Sequence, residues 1–534
     1  MARRVRKSEN KIVRMIFGNA WILLPVLLVV FFAGMVAVGI SARRHAVSVS
    51  GFVLGGRSVG PWLTAFAYGT SYFSAVVFVG YAGQFGWKYG LASTWIGLGN
   101  AAIGSLLAWV VLGRRTRIMT QHLGSSTMPD FFEKRFDSKP LKIVASVIIF
   151  IFLIPYTASI YNGLSRLFEM AFNIPYAVCV VVMAAFTAVY VILGGYMATA
   201  ISDFIQGIIM LFGIVVVVAA VLSGQGGFMN AVYELAQLPS DAAPTLGQPG
   251  AFTAFFGPDP VNLLGVVILT SLGTWGLPQM IQKFYAIRNE KAVRTGTVIS
   301  TVFAVIVSGG CYFLGGFSRL FDDPAIYGAD GAVVYDSIIP FMLSKLPDIL
   351  IGIVVVLVLS ASMSTLSSLV LTSSSTLTLD LIKGNLWKNM REESQIRTMR
   401  VLIAVFVAVS VLLAINPPDF IAQLMGISWG ALAGAFLAPF LYGIYWKRVT
   451  RAAVWASFAC GVGLTVGNLF FHFIDSAINA GAAAMVLGLV VVPVVSLITP
   501  RQPDKRLQEI FSCYEEKTVL HKKMVVGTEK DNAE

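Results

Sequence analysis

Thirteen apolar stretches succeed one another along this chain, at about 21–40, 61–83, 91–112, 141–170, 176–194, 199–222, 260–280, 297–318, 348–379, 399–415, 420–445, 452–473 and 482–499. A helix needs about 20 apolar residues to cross the hydrocarbon core of a bilayer. The stretches therefore predict an all-α polytopic membrane protein of about 13 transmembrane helices. They fill most of the 534 residues and leave no room for a soluble catalytic domain. Only 12% of residues are charged, about half the share usual in soluble domains, and the mean hydropathy is +0.77. The first stretch is as long as a full span and no small-residue cleavage site follows it, so a cleaved signal peptide is not expected.

A net charge of +12 could suggest nucleic acid, but its placement argues against that. Basic residues crowd into alternate loops: Arg43, Arg44 and Arg57; Arg114, Arg115, Arg117, Lys134, Arg135 and Lys139; then Lys283, Arg288, Lys291 and Arg294. The pattern continues with Lys383, Lys388, Arg391, Arg397 and Arg400, then Lys447, Arg448 and Arg451, and the polar tail from Arg501. Between Ser223 and Pro260 there is no Lys or Arg, and from Arg319 to Asp348 acids outnumber bases. Basic loops face the cytoplasm, which predicts a cell-membrane protein with a cytoplasmic C-terminus and, with thirteen spans, an N-terminus outside. Arg3, Arg4, Arg6, Lys7, Lys11 and Arg14 pull the other way, so the first span is the weak point of this topology.

Cys179, Cys311, Cys460 and Cys513 are widely separated, and three of them lie in apolar spans. Neither a zinc site nor a disulfide framework is expected. The four histidines are scattered, and no acid, base and nucleophile form a catalytic constellation, so the chain does not read as an enzyme.

Two spans are interrupted. The second contains Tyr68-Gly69-Thr70-Ser71-Tyr72-Phe73-Ser74 and the seventh contains Leu272-Gly273-Thr274-Trp275-Gly276-Leu277-Pro278. Gly removes side-chain restraint and Pro removes a backbone donor, so each span can unwind in mid-membrane. Freed carbonyls there are tolerated where they line a cavity or bind something. Interruptions in register, five spans apart, point to an inverted repeat with its binding site at the breaks. The alternative is that Gly and Pro merely bend the helices.

Between Leu359 and Leu369 runs Leu-Ser-Ala-Ser-Met-Ser-Thr-Leu-Ser-Ser-Leu, inside a segment free of charge from Ile349 to Leu379. On a helix Ala361, Ser364, Thr365 and Ser368 share one face. Such a row of hydroxyls is a ligand set for a hard cation, which takes oxygen donors. Ser and Thr can equally bond back to their own helix or serve as small packing residues. Asp203, near the start of another span, is a second polar signal, either a functional acid or a first-turn acid at the interface.

Three short pieces, in order along the spans, resemble the sodium/solute symporter family, which includes bacterial sodium/proline symporters and sodium/glucose cotransporters. They are Phe52-Val53-Leu54-Gly55-Gly56-Arg57-Ser58-Val59-Gly60-Pro61-Trp62, Gly194-Gly195-Tyr196-Met197-Ala198 with Asp203 and Gln206, and Met363-Ser364-Thr365-Leu366-Ser367-Ser368. The resemblance implies a leucine-transporter-like fold of five plus five inverted-repeat helices. It divides the chain into a basic tail and extra helix (1–50), a ten-helix core (51–445), two further helices (446–500) and a cytoplasmic tail (501–534). It implies Na+ as coupling ion, no cofactor, and as partners a small solute, Na+ and the bilayer.

The resemblance also implies a main Na+ site formed by carbonyls of Thr70, Phe73 and Ala361 and hydroxyls of Ser364 and Thr365. Asp203, Ser367 and Ser368 occupy the positions of a second Na+ site found in some members. Solute contacts are expected from Ser71, Tyr72, Ser74, Tyr156, Thr157, Thr274 and Trp275. Tyr156 matches an aromatic of proline symporters. Other positions depart: Tyr72 replaces an intramembrane Asp, Thr270 and Thr274 replace an aromatic pair, and Thr157 stands where sialic-acid members carry an Arg. The expected activity is sodium-driven import of a small organic solute, an amino or imino acid such as proline. A monocarboxylate, a pantothenate-like acid or a sugar are the alternatives, and a transporter-like membrane sensor is the reading from another class.

Overall fold

The computed structural model describes residues 20–172, 175–328, 330–416 and 421–515. The basic N-terminal residues and the end of the polar tail lie outside them. The described residues are helical nearly throughout, with no strand beyond two isolated bridges. Eleven helical runs among them are long and apolar enough to cross a membrane. One run holds two of the thirteen expected segments and another holds one together with the second half of its predecessor, whose first half is the separate helix Pro61–Tyr72. In 76–122 the turn falls at Gly90 (φ 58°, ψ −139°). In Tyr176–Gly224 it falls at Gly195 (φ 54°, ψ −146°), where a Cβ would stand 2.8 Å from the Phe52 carbonyl oxygen. Only glycine visits this backbone region readily.

Helix starts follow local chemistry. Thr127 caps Met128–Phe136, Asn289 caps Glu290–Gly315 and Thr450 caps Arg451–Phe471, each accepting a first-turn N–H through its side chain. Asp259 does the same for Pro260–Gly273, with Pro at the first helical position.

Burial sorts the spans into a centre and a lipid-facing ring. In its most apolar 18-residue window, 349–386 is 78% buried and Gln423–Tyr445 is 89% buried, against 28% for 26–45. Exposed apolar side chains such as Val29, Phe212, Val261, Leu412 and Ile498 cover the outside. In water such a surface would be an aggregation patch; on a membrane protein it is the face offered to lipid.

The basic loops meet on one face of the bundle. Arg57 donates to the carbonyls of Ser125 and Tyr285, Arg117 to those of Ile287 and Arg288, and Arg506 to that of Lys134. Arg114 pairs with Glu290 at 2.7 Å and Arg451 with Asp137 at 2.9 Å. Lys142 joins Asp130 (3.0 Å), Glu133 (2.9 Å) and Asp380 (3.5 Å), which ties Met128–Phe136 to the end of the hydroxyl-bearing helix.

Candidate ion and solute site

The first break falls where the sequence pattern puts it. The helix Pro61–Tyr72 ends at Phe73, whose backbone is extended (φ −104°, ψ 92°). Ser74 restarts the chain by accepting the Val76 N–H (3.2 Å), and helix resumes over Val76–Tyr81. Opposite, Pro260–Gly273 ends in a turn over Thr274 to Leu277, and Pro278–Ala286 continues. The unbroken helix Asp348–Thr376 carries the hydroxyl run past the first break.

Four of the five expected main-site residues converge there. The Thr70 carbonyl oxygen lies 3.2 Å from Ser364 Oγ and 3.1 Å from Thr365 Oγ1. The Ala361 carbonyl oxygen lies 3.1 Å and 3.2 Å from the same two hydroxyls. All four residues are buried. Oxygens held about 2.3–2.6 Å from a hard cation stand roughly 3.3–3.7 Å from one another. The cluster therefore needs to expand by only a few tenths of an ångström to surround an ion. Phe73, the fifth expected ligand, is the residue at which the helix opens. Back-bonding along the helix is also present throughout the run: Ser364 donates to the Ser360 carbonyl at 2.9 Å, and its contact and that of Thr365 with Ala361 are of the same kind. Ser362 and Ser367 bond back to Val358 and Ser364, so the contacts that cross between helices are those with the Thr70 carbonyl.

Asp203 is fully buried, as is Ser368. What stands beside them was not expected. Lys283, read from the sequence as one of the basic loop residues, is only 2% exposed and projects inward from Pro278–Ala286. Its Nζ donates to Ser368 Oγ at 2.9 Å and lies 3.8 Å from Asp203 Oδ2. Ser368 Oγ in turn shares a 2.8 Å hydrogen bond with Ser71 Oγ, from the first broken helix. The loop assignment fails because Lys283 lies one turn before the real basic loop at Arg288, and the helix rotates it into the bundle.

The expected solute residues divide into two groups. Tyr72 and Tyr156 flank the Trp429 ring, with centroids 6.0 Å and 5.8 Å from it. The Tyr156 hydroxyl and the Trp429 indole N–H are buried and meet only each other and Ser74. The second group is occupied locally. Thr274 donates to the Gly104 carbonyl (3.0 Å) and Trp275 to that of Ile103 (3.0 Å). Thr157 bonds back to Leu153 and Ser71 is engaged with Ser368. Tyr72 spans the two groups: its ring faces Trp429 while its hydroxyl donates to the Thr270 carbonyl at 2.6 Å. Sequence reasoning missed Trp429. Its signal is indirect: Gly273, at the second break, has no room for a Cβ because the Trp429 ring packs on it.

Interrupted helices that open onto a cluster of carbonyl and hydroxyl oxygens at mid-bundle define an ion-coupled secondary transporter. A Na+-coupled sialic acid symporter, solved substrate-bound and outward-open, shares the fold: TM-score 0.73, 17% identity, 89% of this chain and 97% of that one. Mhp1, a nucleobase-cation-symport-1 family transporter, matches more loosely, with a TM-score of 0.50 and 14% identity over 86% of this chain and 97% of its own. The fold is thus the leucine-transporter-like arrangement of inverted repeats.

A sequence profile of the sodium:solute symporter family matches residues 52–461, and the chain belongs to that family. Its relatives include the osmoregulated proline transporter OpuE of Bacillus subtilis, 28% identical over 91% of this chain and 96% of that protein. The sodium/proline symporter of Salmonella typhimurium is 27% identical over 90% and 94%. That of Staphylococcus aureus is 29% identical over 82% and 84%. The family and these relatives are transporters, not enzymes, and the chain is a multi-pass membrane protein of the sodium-coupled solute symporter class.

Proposed function

We propose that this protein imports a small carboxylate-bearing solute, proline first among the candidates, driven by the inward Na+ gradient. The observation that carries the reading is the meeting of the Thr70 and Ala361 carbonyls with the Ser364 and Thr365 hydroxyls at the break after Tyr72. Sodium bound there, with Phe73 completing the set, holds the first broken helix against Asp348–Thr376. Because that same break carries Ser74 and Tyr72, ordering it raises solute affinity, and linkage demands that solute raise sodium affinity by the same factor.

The solute side is aromatic with few polar groups. Tyr72, Tyr156 and Trp429 cover an apolar ring or chain, while the Tyr156 hydroxyl and Trp429 N–H, which meet only each other and Ser74, offer donors to a carboxylate. A carboxylate is a stronger acceptor than a neutral hydroxyl, so a ligand that supplies one to these donors gains on binding. A hydroxyl-rich sugar would need more polar partners than this surface has. Curated relatives named as proline transporters support the same solute class. The shared face of the basic loops supports a cytoplasmic C-terminus and an external N-terminus in the cell membrane.

The test is uptake by the purified protein in proteoliposomes, with a panel of amino acids, monocarboxylates, pantothenate and hexoses. The expected result is accumulation of proline, or of another small carboxylate, only with Na+ outside. Sodium-driven uptake of a hexose alone overturns the solute assignment; uptake indifferent to Na+ overturns the coupling.

A further inference from the structure

We propose that the Lys283 ammonium is a tethered counter-cation that takes the place of a second sodium ion at Asp203, so that each solute is coupled to one Na+. The inference rests on the sodium-symport reading and concerns its stoichiometry.

Asp203 and Lys283 lie in two different spanning segments, 0% and 2% exposed. An ionisable group at such depth needs a partner. The ion pair between Lys283 Nζ and Asp203 Oδ2, at 3.8 Å, supplies it. The carboxylate oxygens have no other partner than Lys283, so the compensation at Asp203 comes from that ammonium. An ammonium group has three donors and no acceptor. Here one donor is spent on Ser368 Oγ at 2.9 Å, and the group also lies 5.3 Å from the centre of the Tyr196 ring, within cation–π range.

Two arguments make this ammonium and a sodium ion mutually exclusive. The first is positional. The oxygens expected to hold a second Na+ include the Asp203 carboxylate and the Ser368 hydroxyl, the same two groups that Lys283 engages. The second is charge. One buried carboxylate and one buried ammonium sum to zero; a sodium ion added to them leaves an uncompensated buried charge, which is strongly disfavoured. Removing the lysine reverses the balance and leaves a buried carboxylate without its counter-charge, which then needs a mobile cation.

The lysine also has a mechanical consequence that a diffusible ion lacks. Through Ser368 and its 2.8 Å partner Ser71, it joins Pro278–Ala286 to the first broken helix and to the hydroxyl-bearing helix. Because it is covalently attached, it neutralises Asp203 throughout the transport cycle and draws nothing from the sodium gradient.

The experiment counts radioactive sodium bound per chain at saturation on the purified protein in nanodiscs. The unmodified protein and Lys283→Arg should each bind one Na+, and Lys283→Met should bind two. Two ions on the unmodified protein, or one on a folded Lys283→Met, overturn the proposal. Should Lys283→Met not fold, the reversal potential of solute current in the unmodified protein decides, with one Na+ per solute expected and two contradicting it. No sodium bound to the unmodified protein would instead remove the symport reading on which this rests.

Discussion

The Thr365 hydroxyl lies 3.1 Å from the Thr70 carbonyl oxygen, reaching from an unbroken helix to one about to unwind. Thr70 also offers its carbonyl to Ser364, while its own hydroxyl is spent on the Phe66 carbonyl at 2.9 Å. A carbonyl three residues before a helix break, facing two hydroxyls of a neighbour, is the coordination site we propose, held together here by protein donors. A cation that enters it exchanges those donors for itself and links the two helices.

Tyr156→Phe separates binding from folding. The hydroxyl it removes meets only Trp429 and Ser74, so thermal stability should change little. If that hydroxyl waits for the solute, the solute concentration for half-maximal uptake should rise about five- to ten-fold, roughly 1–1.4 kcal/mol. Sodium dependence at saturating solute should change much less. An unchanged solute affinity would remove Tyr156 from the pocket.

Gly195→Ala should weaken the fold. The position has φ 54° and ψ −146°, and a Cβ there would press on the Phe52 carbonyl. A strain of about 1–3 kcal/mol is expected, visible as a lowered melting temperature in detergent. Gly463→Ala, on an outward-facing helix position with nothing near the new Cβ, is the control and should change little. Equal melting temperatures for the two variants would contradict the hinge assignment.

The spans were legible in the sequence because crossing a bilayer demands a long apolar run, and the breaks because Gly69, Gly273 and Pro278 interrupt such runs. The hydroxyl run was legible for the same reason: six hydroxyl residues between Ser360 and Ser368 stand out in a segment otherwise apolar. Lys283 was not. It sits next to a basic loop in sequence, and only the rotation of Pro278–Ala286 turns it toward Asp203. Trp429 was missed because its partners, Tyr72, Tyr156 and Gly273, are remote in sequence and no local pattern joins them. Thr274 and Trp275 were read as solute contacts from their place at a break, but whether a residue at a break faces the cavity depends on the neighbouring helix. Here the 100–107 segment offers carbonyls that take both groups.

Asp130 should give stability a pH dependence on the basic face. Burial pushes its carboxyl up, but Lys142 and Lys134 beside it, at 3.0 Å and 2.9 Å, more than offset this and leave it below the ordinary aspartate value. A folded-state value below the unfolded one, about 3.9, means the contribution is complete above that pH. It is lost as pH falls through the folded-state value. Asp130→Asn should therefore melt below the unmodified protein at pH 7, and the gap should close as pH drops below about 4. A gap that stays constant down to acid pH would show that Asp130 contributes by shape and not by charge.

The most direct measurement is the sodium concentration for half-maximal solute uptake in proteoliposomes containing the Ser364→Ala/Thr365→Ala double variant. Alanine is well tolerated in a membrane helix, so the protein should still fold, while the Thr70 and Ala361 carbonyls lose both facing hydroxyls. The account predicts a rise of about ten-fold or more, equivalent to about 1.4 kcal/mol or above, with solute still transported at high sodium. An unchanged sodium dependence in a folded, active double variant would contradict it.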